Sequence, residues 1–383
     1  MRQNPSKILL LSPRIPPDPG GVAQAVWRQA KQLHEQGISV ELWGLSPGDL
    51  PDAPFPVWRP TTVAAPINAL SDLEAQSVAH CFSGPPPDLI HGYYLSATAE
   101  LALALGEHWQ VPVVLSARGN DLDRDLWLPE RREMLLKLLP KASALSGVTR
   151  ALTQQLAVLA PACPVIQWVP NSVDSDTFAP QPRSNDLALR LGIPQSGTRW
   201  GFVGELRQKK GLGLLLLAFQ ALAQKYADLS LLLIGEVRPG PDRQLLQLFR
   251  KQNPQLSPRL IEIPSQPHAD LPALYAWLDA VVFPSLQEGL ANACLEALSC
   301  ARPVVATEVG GFPDLICNGQ EGRLISAYQL EPLIVALEEV YLQPEKAQAW
   351  GEAGRLKMCR EFGPEQELEN WLRLYQAAGL KTD

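Results

Sequence analysis

The residues best suited to chemistry in this chain are two glutamates eight positions apart, Glu288 and Glu296. If one helix carries both, eight steps of about 100° and ~1.5 Å leave them about 12 Å apart along the axis and within roughly 80° of each other around it. At the start of that helix, the N–H groups of Gly289, Leu290 and Ala291 would have no intrahelical acceptor and would form an anion site. A ligand with hydroxyl groups at both ends and a phosphate between them fits this arrangement. Nucleotide diphosphate sugars have that shape.

A second candidate is the lysine in VGELRQKKGLGLLLLAF, where Lys210-Gly211 opens a predicted helix. A cation at a helix start opposes the helix dipole, and a bound diphosphate would justify its position. Gly20-Gly21 precede another predicted helix and would allow a ligand close to the backbone. Solvated surface charges at Lys210 and an ordinary strand–helix turn at Gly20-Gly21 remain alternative interpretations.

Parallel sheets must position these residues, because short apolar strands alternate with helical patterns along the chain. The predicted strands cover residues 8–12, 40–44, 89–91, 111–115, 144–148 and 166–169, and then 200–203, 229–234, 260–263, 280–283 and 303–306. The predicted helices cover residues 22–36, 97–108, 130–139, 212–225, 243–252, 271–278 and 291–298. The series begins twice, so the predicted fold class is α/β with two Rossmann-like doubly wound domains.

The charge, the cysteine pattern and the lengths of apolar runs argue against several classes of function. The chain has 383 residues and a net charge of −7, and both halves are acidic, which argues against nucleic acid as a partner. Six cysteines without a C-x-x-C pair argue against zinc and thioredoxin-like sites and indicate a reducing, cytoplasmic compartment. We expect neither a signal peptide nor a membrane span, since no apolar run approaches the ~18 residues required. No G-x-G-x-x-G follows a strand, so a dinucleotide dehydrogenase is poorly supported.

Several motifs together resemble the retaining glycosyltransferases of family 4. PS-x-x-EG, LEAL around Glu296, and RPVV before Gly310-Gly311 resemble the family's E-x7-E signature. P-N-x-V-D at residues 170–174 resembles the motif at which the family's first domain passes to its second. The resemblance implies a GT-B type fold, with two domains facing across a cleft. Residues 1–170 would form the acceptor-side domain and 171–361 the nucleotide-sugar domain, while 362–383 would cross back as a helix.

The activity that the resemblance implies is transfer of a sugar, such as a hexosyl group, from a nucleotide diphosphate sugar to an acceptor hydroxyl. The anomeric configuration would be retained, with no metal and no cofactor besides the donor substrate. The resemblance gives Glu288 the donor sugar hydroxyls, Glu296 the ribose hydroxyls and Lys210 the diphosphate. The other predicted donor-binding positions are Gly21, Glu205, Arg207, Gly289, Leu290 and Ala291.

Two positions depart from the family pattern. Glu205 stands where V-G-R-L-x-x-x-K-G has an arginine, and Arg207 is one candidate to replace the missing cation. Arg118, in SARGND, stands where the family carries a histidine. A guanidinium is permanently charged and stabilises a departing phosphate, so we predict Arg118 as a catalytic residue beside Glu288 and Lys210.

The sequence leaves other functions and several properties open. A nucleotide-sugar 2-epimerase and a non-catalytic nucleotide-sugar-binding relative share the predicted fold. The acceptor, which is a saccharide, a lipid-linked sugar or a small molecule, is not identified, nor are the donor's sugar and base or the oligomeric state. A predicted helix over residues 123–141 has too little net positive charge to indicate more than a weak peripheral membrane contact.

Overall fold

The computed structural model describes residues 6–18, 20–60 and 84–381, so Cys81 lies outside the described residues. The chain forms two compact units. The first comprises Met1–Asn171 with Pro364–Asp383, and the second comprises Ser172–Gly363.

Each unit contains one parallel sheet. The first sheet has the order β3-β2-β1-β4-β5-β6-β7 and the second has the order β10-β9-β8-β11-β12-β13. The strands are β1 (Lys7–Ser12), β2 (Ser39–Gly44), β3 (Val57–Trp58), β4 (Leu89–Tyr93), β5 (Val113–Ala117), β6 (Ala144–Gly147), β7 (Ile166–Trp168), β8 (Thr198–Val203), β9 (Leu229–Ile234), β10 (Leu260–Ile263), β11 (Ala280–Phe283), β12 (Val304–Thr307) and β13 (Gly322–Ile325).

Helices connect these strands. They are α1 (Gly21–Glu35), α2 (Leu95–Trp109), α3 (Asn120–Asp123), α4 (Pro129–Leu138), α5 (Arg150–Leu159), α6 (Asn185–Leu191), α7 (Leu212–Lys225), α8 (Pro241–Gln252), α9 (Leu271–Tyr275), α10 (Asn292–Ser299), α11 (Phe312–Leu315), α12 (Leu330–Leu342), α13 (Pro344–Glu361) and α14 (Pro364–Ala378). Every residue of β9 and β11 is buried, as expected when both faces of a parallel sheet are covered.

In each sheet there is one position at which the strand order reverses, called the switch point. In the second unit the chain builds outward from β8 through β9 to β10, then returns to the other side of β8 with β11. The first unit does the same, with β1 and β4 on the two sides of its switch. In doubly wound sheets, ligands bind beyond the carboxyl ends of the strands at this point. A ligand-binding site is therefore expected at the loops after β8 and β11.

The C-terminal helix α14 belongs to the first unit. Its residues Trp371, Leu374 and Tyr375 are buried in the same core as strand residues Leu10 and Val114. Leu368 and Leu372 are partly buried against that core. The apolar face of α14 therefore completes the first unit, although the rest of that unit ends nearly two hundred residues earlier in the chain.

Some element predictions were wrong. The segment predicted as one helix over residues 123–141 consists of α3, a short 3₁₀ turn, α4 and a second 3₁₀ turn, because Pro129 and Pro140 interrupt it. The sequence analysis also missed β3, β13, α5, α6, α11, α12 and α13. Within the described residues, no helix is long and apolar enough to span a membrane.

Candidate functional site

The two loops at the switch point of the second unit pack against each other. The Leu286 N–H donates to the Lys209 carbonyl at 2.8 Å, which joins the loop after β11 to the loop after β8. Gly211 has φ +78°, and a Cβ there would overlap the carbonyl oxygen of Pro284. Glycine is required at this position for both reasons, and its small size lets the neighbouring Lys210 approach the second loop.

Lys210 and Glu288, predicted from separate motifs, form a direct ion pair. The Lys210 Nζ donates to Glu288 Oε2, and the two side chains are 20% and 11% exposed. A partly buried carboxylate needs such a partner, because desolvation would otherwise be costly. The structure thus brings together two of the three residues predicted as catalytic.

A third loop, after β12, packs against the backbone of Glu288 and Gly289. Gly310 has φ +55°, and a Cβ on it would overlap the carbonyl oxygen of Glu288. The N–H of Gly311 donates to the Gly289 carbonyl at 2.8 Å. The Gly-Gly pair that follows RPVV in the sequence therefore holds the backbone of the acidic loop in place.

Glu296 lies on α10 and is 8% exposed. Its Oε2 accepts a hydrogen bond from the Tyr275 hydroxyl at 3.0 Å, and its Oε1 lies 3.1 Å from His268 Nε2. Burial and the Glu296 carboxylate raise the pKa of Tyr275 well above its usual value, so this hydroxyl stays protonated as a donor. The carboxylate is held from two sides and keeps a fixed orientation.

One helix does not carry both glutamates, so the geometry expected for a shared helix does not apply. Helix α10 begins at Asn292, so Glu288 lies in the preceding loop and Ala291 is the N-cap. Gly289, Leu290 and Ala291 are loop residues, and the helix start lies beyond them. The short turn Pro284-Ser285 is followed by an irregular acidic loop because Gly289 accepts from the loop after β12 and cannot join the helical ladder.

Glu205, the residue in place of the family's arginine, lies between two guanidinium groups. Its Oε2 is 3.3 Å from Arg207 Nε and its Oε1 is 3.1 Å from Arg238 Nε. Arg207 is therefore engaged by a neighbouring carboxylate. Arg238, in the loop after β9, was not predicted as part of the site.

In the first unit, Asp121 shapes the loop that carries Arg118. Its buried carboxylate accepts from the backbone N–H groups of Arg118, Gly119 and Leu95 at distances from 2.7 to 3.0 Å. Burial raises the pKa of Asp121 to about 6, against the effect of these three donors, which lower it. The carboxylate fixes the turn that starts α3 at the carboxyl end of β5.

The Arg118 side chain lies on aromatic rings. Its Cζ is 4.2 Å from the centroid of Tyr93 and 5.7 Å from that of Trp371, and Nη1 donates to Asn171 Oδ1 at 3.3 Å. Nε and Nη2 are buried, and neither has a hydrogen-bond partner among the described residues. Buried donors of a charged group are costly to leave unpaired, so this guanidinium is suited to an anionic ligand.

A buried polar network supports the Tyr93 ring. The Tyr93 hydroxyl donates to Gln29 Oε1, and Gln29 Nε2 donates to the Tyr375 hydroxyl at 2.5 Å. His91 bridges the Tyr375 hydroxyl and Ser116 Oγ at 2.7 and 2.5 Å. Burial and the charge of Arg118 lower the pKa of His91 well below its usual value, so it is a neutral structural residue.

Gly21 is the first residue of α1, directly after Gly20 with φ +123°. It lies at the carboxyl side of β1, one of the two strands at the first switch point. The structure therefore places this predicted donor-binding position where a doubly wound sheet binds ligands.

Comparison with known proteins identifies the family. Residues 19–177 match the model described as Glycosyltransferase Family 4, and residues 190–357 match the model described as Glycosyl transferases group 1. The chain belongs to the family 4 glycosyltransferases. It is an enzyme that transfers glycosyl groups, as the motifs predicted.

Relatives and solved structures agree with this assignment. A D-inositol 3-phosphate glycosyltransferase of Corynebacterium jeikeium is 29% identical over 366 residues, covering 88% of this chain and 86% of that protein. The sucrose-phosphate synthase of Thermosynechococcus elongatus has a TM-score of 0.79 at 20% identity, covering 97% of this chain and 98% of that one. Anabaena Alr3699/HepE in complex with UDP and glucose has a TM-score of 0.77 at 19% identity, covering 97% and 99%. The fold is of the GT-B type.

Sequence reasoning missed His268 and Tyr275 because neither lies in a recognised motif. One signal was available for His268: it follows β10, and the residues after parallel strands gather at the carboxyl edge of the sheet. Tyr275 gave no signal, since an aromatic residue in an apolar helix is typical of a core.

Proposed function

We propose that this glycosyltransferase takes a nucleotide diphosphate sugar as donor and transfers the sugar to an acceptor hydroxyl with retention of configuration and without a metal. The observation that carries the proposal is the Lys210–Glu288 pair at the carboxyl edge of the second sheet, beside its switch point. A cation and a carboxylate in contact are suited to the phosphate and the hydroxyl groups of one ligand.

Donor binding would exchange the partners of this pair. Lys210 would leave Glu288 for the diphosphate, and the freed carboxylate would accept hydrogen bonds from the sugar hydroxyls. Such an exchange avoids an uncompensated buried charge in either state, because each ion has a partner before and after binding.

Glu296 is proposed to accept both ribose hydroxyls. Its carboxylate is already oriented by Tyr275 and His268, so little conformational freedom is lost when the nucleoside binds. Glu288 and Glu296 would therefore serve the sugar end and the nucleoside end of the donor, respectively.

In the transfer step, the bond between the anomeric carbon and the diphosphate oxygen breaks, and negative charge develops on the diphosphate. Lys210 is proposed to stabilise that charge, and Arg118 is proposed as a second phosphate-stabilising cation. The acceptor hydroxyl then bonds to the anomeric carbon, and its proton passes to an oxygen of the departing diphosphate. These two cations take the charge-stabilising role that a metal ion has in other transferases.

The names of similar proteins support the donor and acceptor classes. Anabaena Alr3699/HepE has been crystallised with UDP-glucose, which favours a uridine nucleotide sugar as the first donor to test. Several relatives are named D-inositol 3-phosphate glycosyltransferases, which favours a small polyhydroxylated acceptor.

The test is a two-stage assay with the full chain. Thermal shift with UDP and other nucleoside diphosphates identifies the base, since a ligand at 100 times its dissociation constant stabilises by about 2.7 kcal/mol. The matching nucleotide sugar is then incubated with inositol phosphates and saccharides, with and without EDTA, and the product is analysed by NMR.

An α-configured product from an α-configured donor, formed equally in EDTA, supports the proposal. An inverted product, or activity abolished by EDTA and restored by a divalent cation, would contradict it. Conversion of the donor in the absence of any acceptor would instead indicate a 2-epimerase.

A further inference from the structure

A cavity of about 820 Å³ lies at the amino edge of the second sheet. Thr198 is the first residue of β8, and Asp279 and Pro303 directly precede β11 and β12; all three line the cavity. The Lys210–Glu288 pair follows the carboxyl ends of β8 and β11. The cavity is thus at the opposite edge of the same sheet, and its volume is within the ~300–1,000 Å³ typical of small-molecule sites.

The cavity is lined by more cations than anions. Arg183, Arg302 and Arg355 contribute guanidinium groups, whereas Asp279 and Glu352 contribute carboxylates. Asp279 is already paired with Arg183, at 2.6 Å. Among the residues that the structure describes, neither Arg302 nor Arg355 forms an ion pair, and their hydrogen bonds all go to backbone carbonyls.

These two arginines meet at the C-terminal end of α10. Arg302 Nε donates to the Cys300 carbonyl at 3.1 Å, and Arg355 Nη1 donates to the adjacent Ser299 carbonyl at 2.6 Å. A helix C-terminus carries only about half a negative charge, which is less than the charge of the two guanidinium groups that donate to it. Burial lowers the pKa of Arg302.

The turn before Arg302 closes α10, because the Arg302 N–H donates to the Ala297 carbonyl at 2.9 Å. Ala301 has φ +54°, a left-handed conformation that residues other than glycine rarely adopt. Helix α13 packs closely on this turn, since a Cβ on Gly351 would overlap the carbonyl oxygen of Ala301. The turn therefore fixes the position at which Arg302 joins the lining of the cavity.

We propose that this cavity is a second binding site, distinct from the donor site, for a small organic molecule that carries a phosphate or carboxylate group. The anionic group would lie between Arg302 and Arg355, where it offsets both charges. The body of the ligand would pack against Tyr341, Pro344 and Leu356, which line the same cavity. The inference goes beyond the proposed function and does not depend on it.

The test uses phenyl phosphate as the probe and benzoate as the carboxylate counterpart, titrated calorimetrically into the full chain in the presence of saturating UDP. We expect one saturable site. Arg302→Gln should weaken probe binding by at least about tenfold, because it removes a charged donor from the anion. Glu352→Gln should strengthen it about two- to fivefold, because it removes a repelling carboxylate from an exposed helix position. Arg190→Gln, on α6, is the control and should leave probe binding unchanged.

Several outcomes would overturn the inference. These are the absence of saturable binding of either probe up to about 10 mM, or equal affinity in wild type, Arg302→Gln and Glu352→Gln. If Arg302→Gln does not fold, the direction of the Glu352→Gln effect decides alone. Lys210→Ala should retain probe binding, and a loss there would place the probe in the donor site. Failure of UDP to bind would count against the proposed function, while the Arg302 and Glu352 variants would still decide this inference.

Discussion

The charged groups of the candidate site are held differently in the two units. In the second unit they hold one another: Lys210 pairs with Glu288, Glu205 with Arg207 and Arg238, and Glu296 bonds to Tyr275 and His268. In the first unit Arg118 has no carboxylate partner among the described residues and lies on the rings of Tyr93 and Trp371.

The difference indicates two ways of preparing a cation for a substrate. Lys210 must exchange one anion for another, so its mutation affects both donor affinity and turnover. Arg118 is fixed by packing and keeps unpaired donors, so it gains most from charge that appears only in the transition state. Substitutions of these residues should therefore differ in the size of their effects on turnover and donor binding.

Lys210→Ala should cause the largest loss, a decrease in kcat/KM of about 10³-fold or more. The substitution removes the cation from the diphosphate and also leaves the partly buried Glu288 without its partner. Steady-state kinetics with the identified donor measures the effect. Lys209→Ala, one residue earlier, is the matched control and should remain within a fewfold of wild type. Near-normal turnover in Lys210→Ala would remove this lysine from the mechanism.

Arg118→Ala should lower kcat by about 10²–10³, with a smaller change in donor KM, as for the loss of one oxyanion donor. Arg118→Lys keeps the charge but loses the planar contact with the two rings, so partial activity is expected. The comparison variant is Arg207→Ala, which we expect to be mild because Glu205 already engages that side chain. If Arg207→Ala is the inactive variant and Arg118→Ala is active, Arg207 replaces the family's arginine and the contrast between the units is wrong.

Glu296→Ala should weaken nucleoside diphosphate binding about 10- to 150-fold, because hydrogen bonds to a charged group contribute about 1.5–3 kcal/mol. Calorimetry with the nucleotide measures it. Tyr275→Phe removes one hydrogen bond that orients the Glu296 carboxylate. It should weaken nucleoside diphosphate binding by only about two- to tenfold. Equal affinity of wild type and Glu296→Ala for the nucleotide would show that Glu296 does not hold the ribose.

Glu288→Gln should have an effect of opposite sign on the nucleotide. Loss of the competing carboxylate frees Lys210, so affinity for the nucleoside diphosphate should rise about two- to fivefold, while turnover of the full donor falls. Calorimetry measures the affinity for the nucleoside diphosphate, and steady-state kinetics on the same preparation measures turnover of the donor. A mutant that loses diphosphate affinity as strongly as Glu296→Ala would reverse the orientation assigned to the donor.

The parts of the fold that the sequence predicted are those with strong local signals. Strands such as β9 and β11 are buried on both faces, and that burial favours a nearly continuous apolar run, in which Ser230 of β9 is the one polar residue. The segment from β13 through α13 was missed, because Gly322–Ile325 is short and half exposed and α12 follows it without a capping residue. Helix α10 was predicted over residues 291–298 and spans Asn292–Ser299, a difference of one residue at each end.

The sequence by itself determined the family, the two parallel sheets and the placement of Lys210 and Glu288 after strands, since these follow from motifs and from local apolar patterns. Only the tertiary structure decided which charges meet. Lys210 finds Glu288 because β8 and β11, far apart in the chain, are neighbours in the sheet. Arg118 lies on Trp371 because the last helix returns to the first unit. Contacts between residues distant in sequence depend on how the helices and strands pack, and local sequence patterns do not specify that packing.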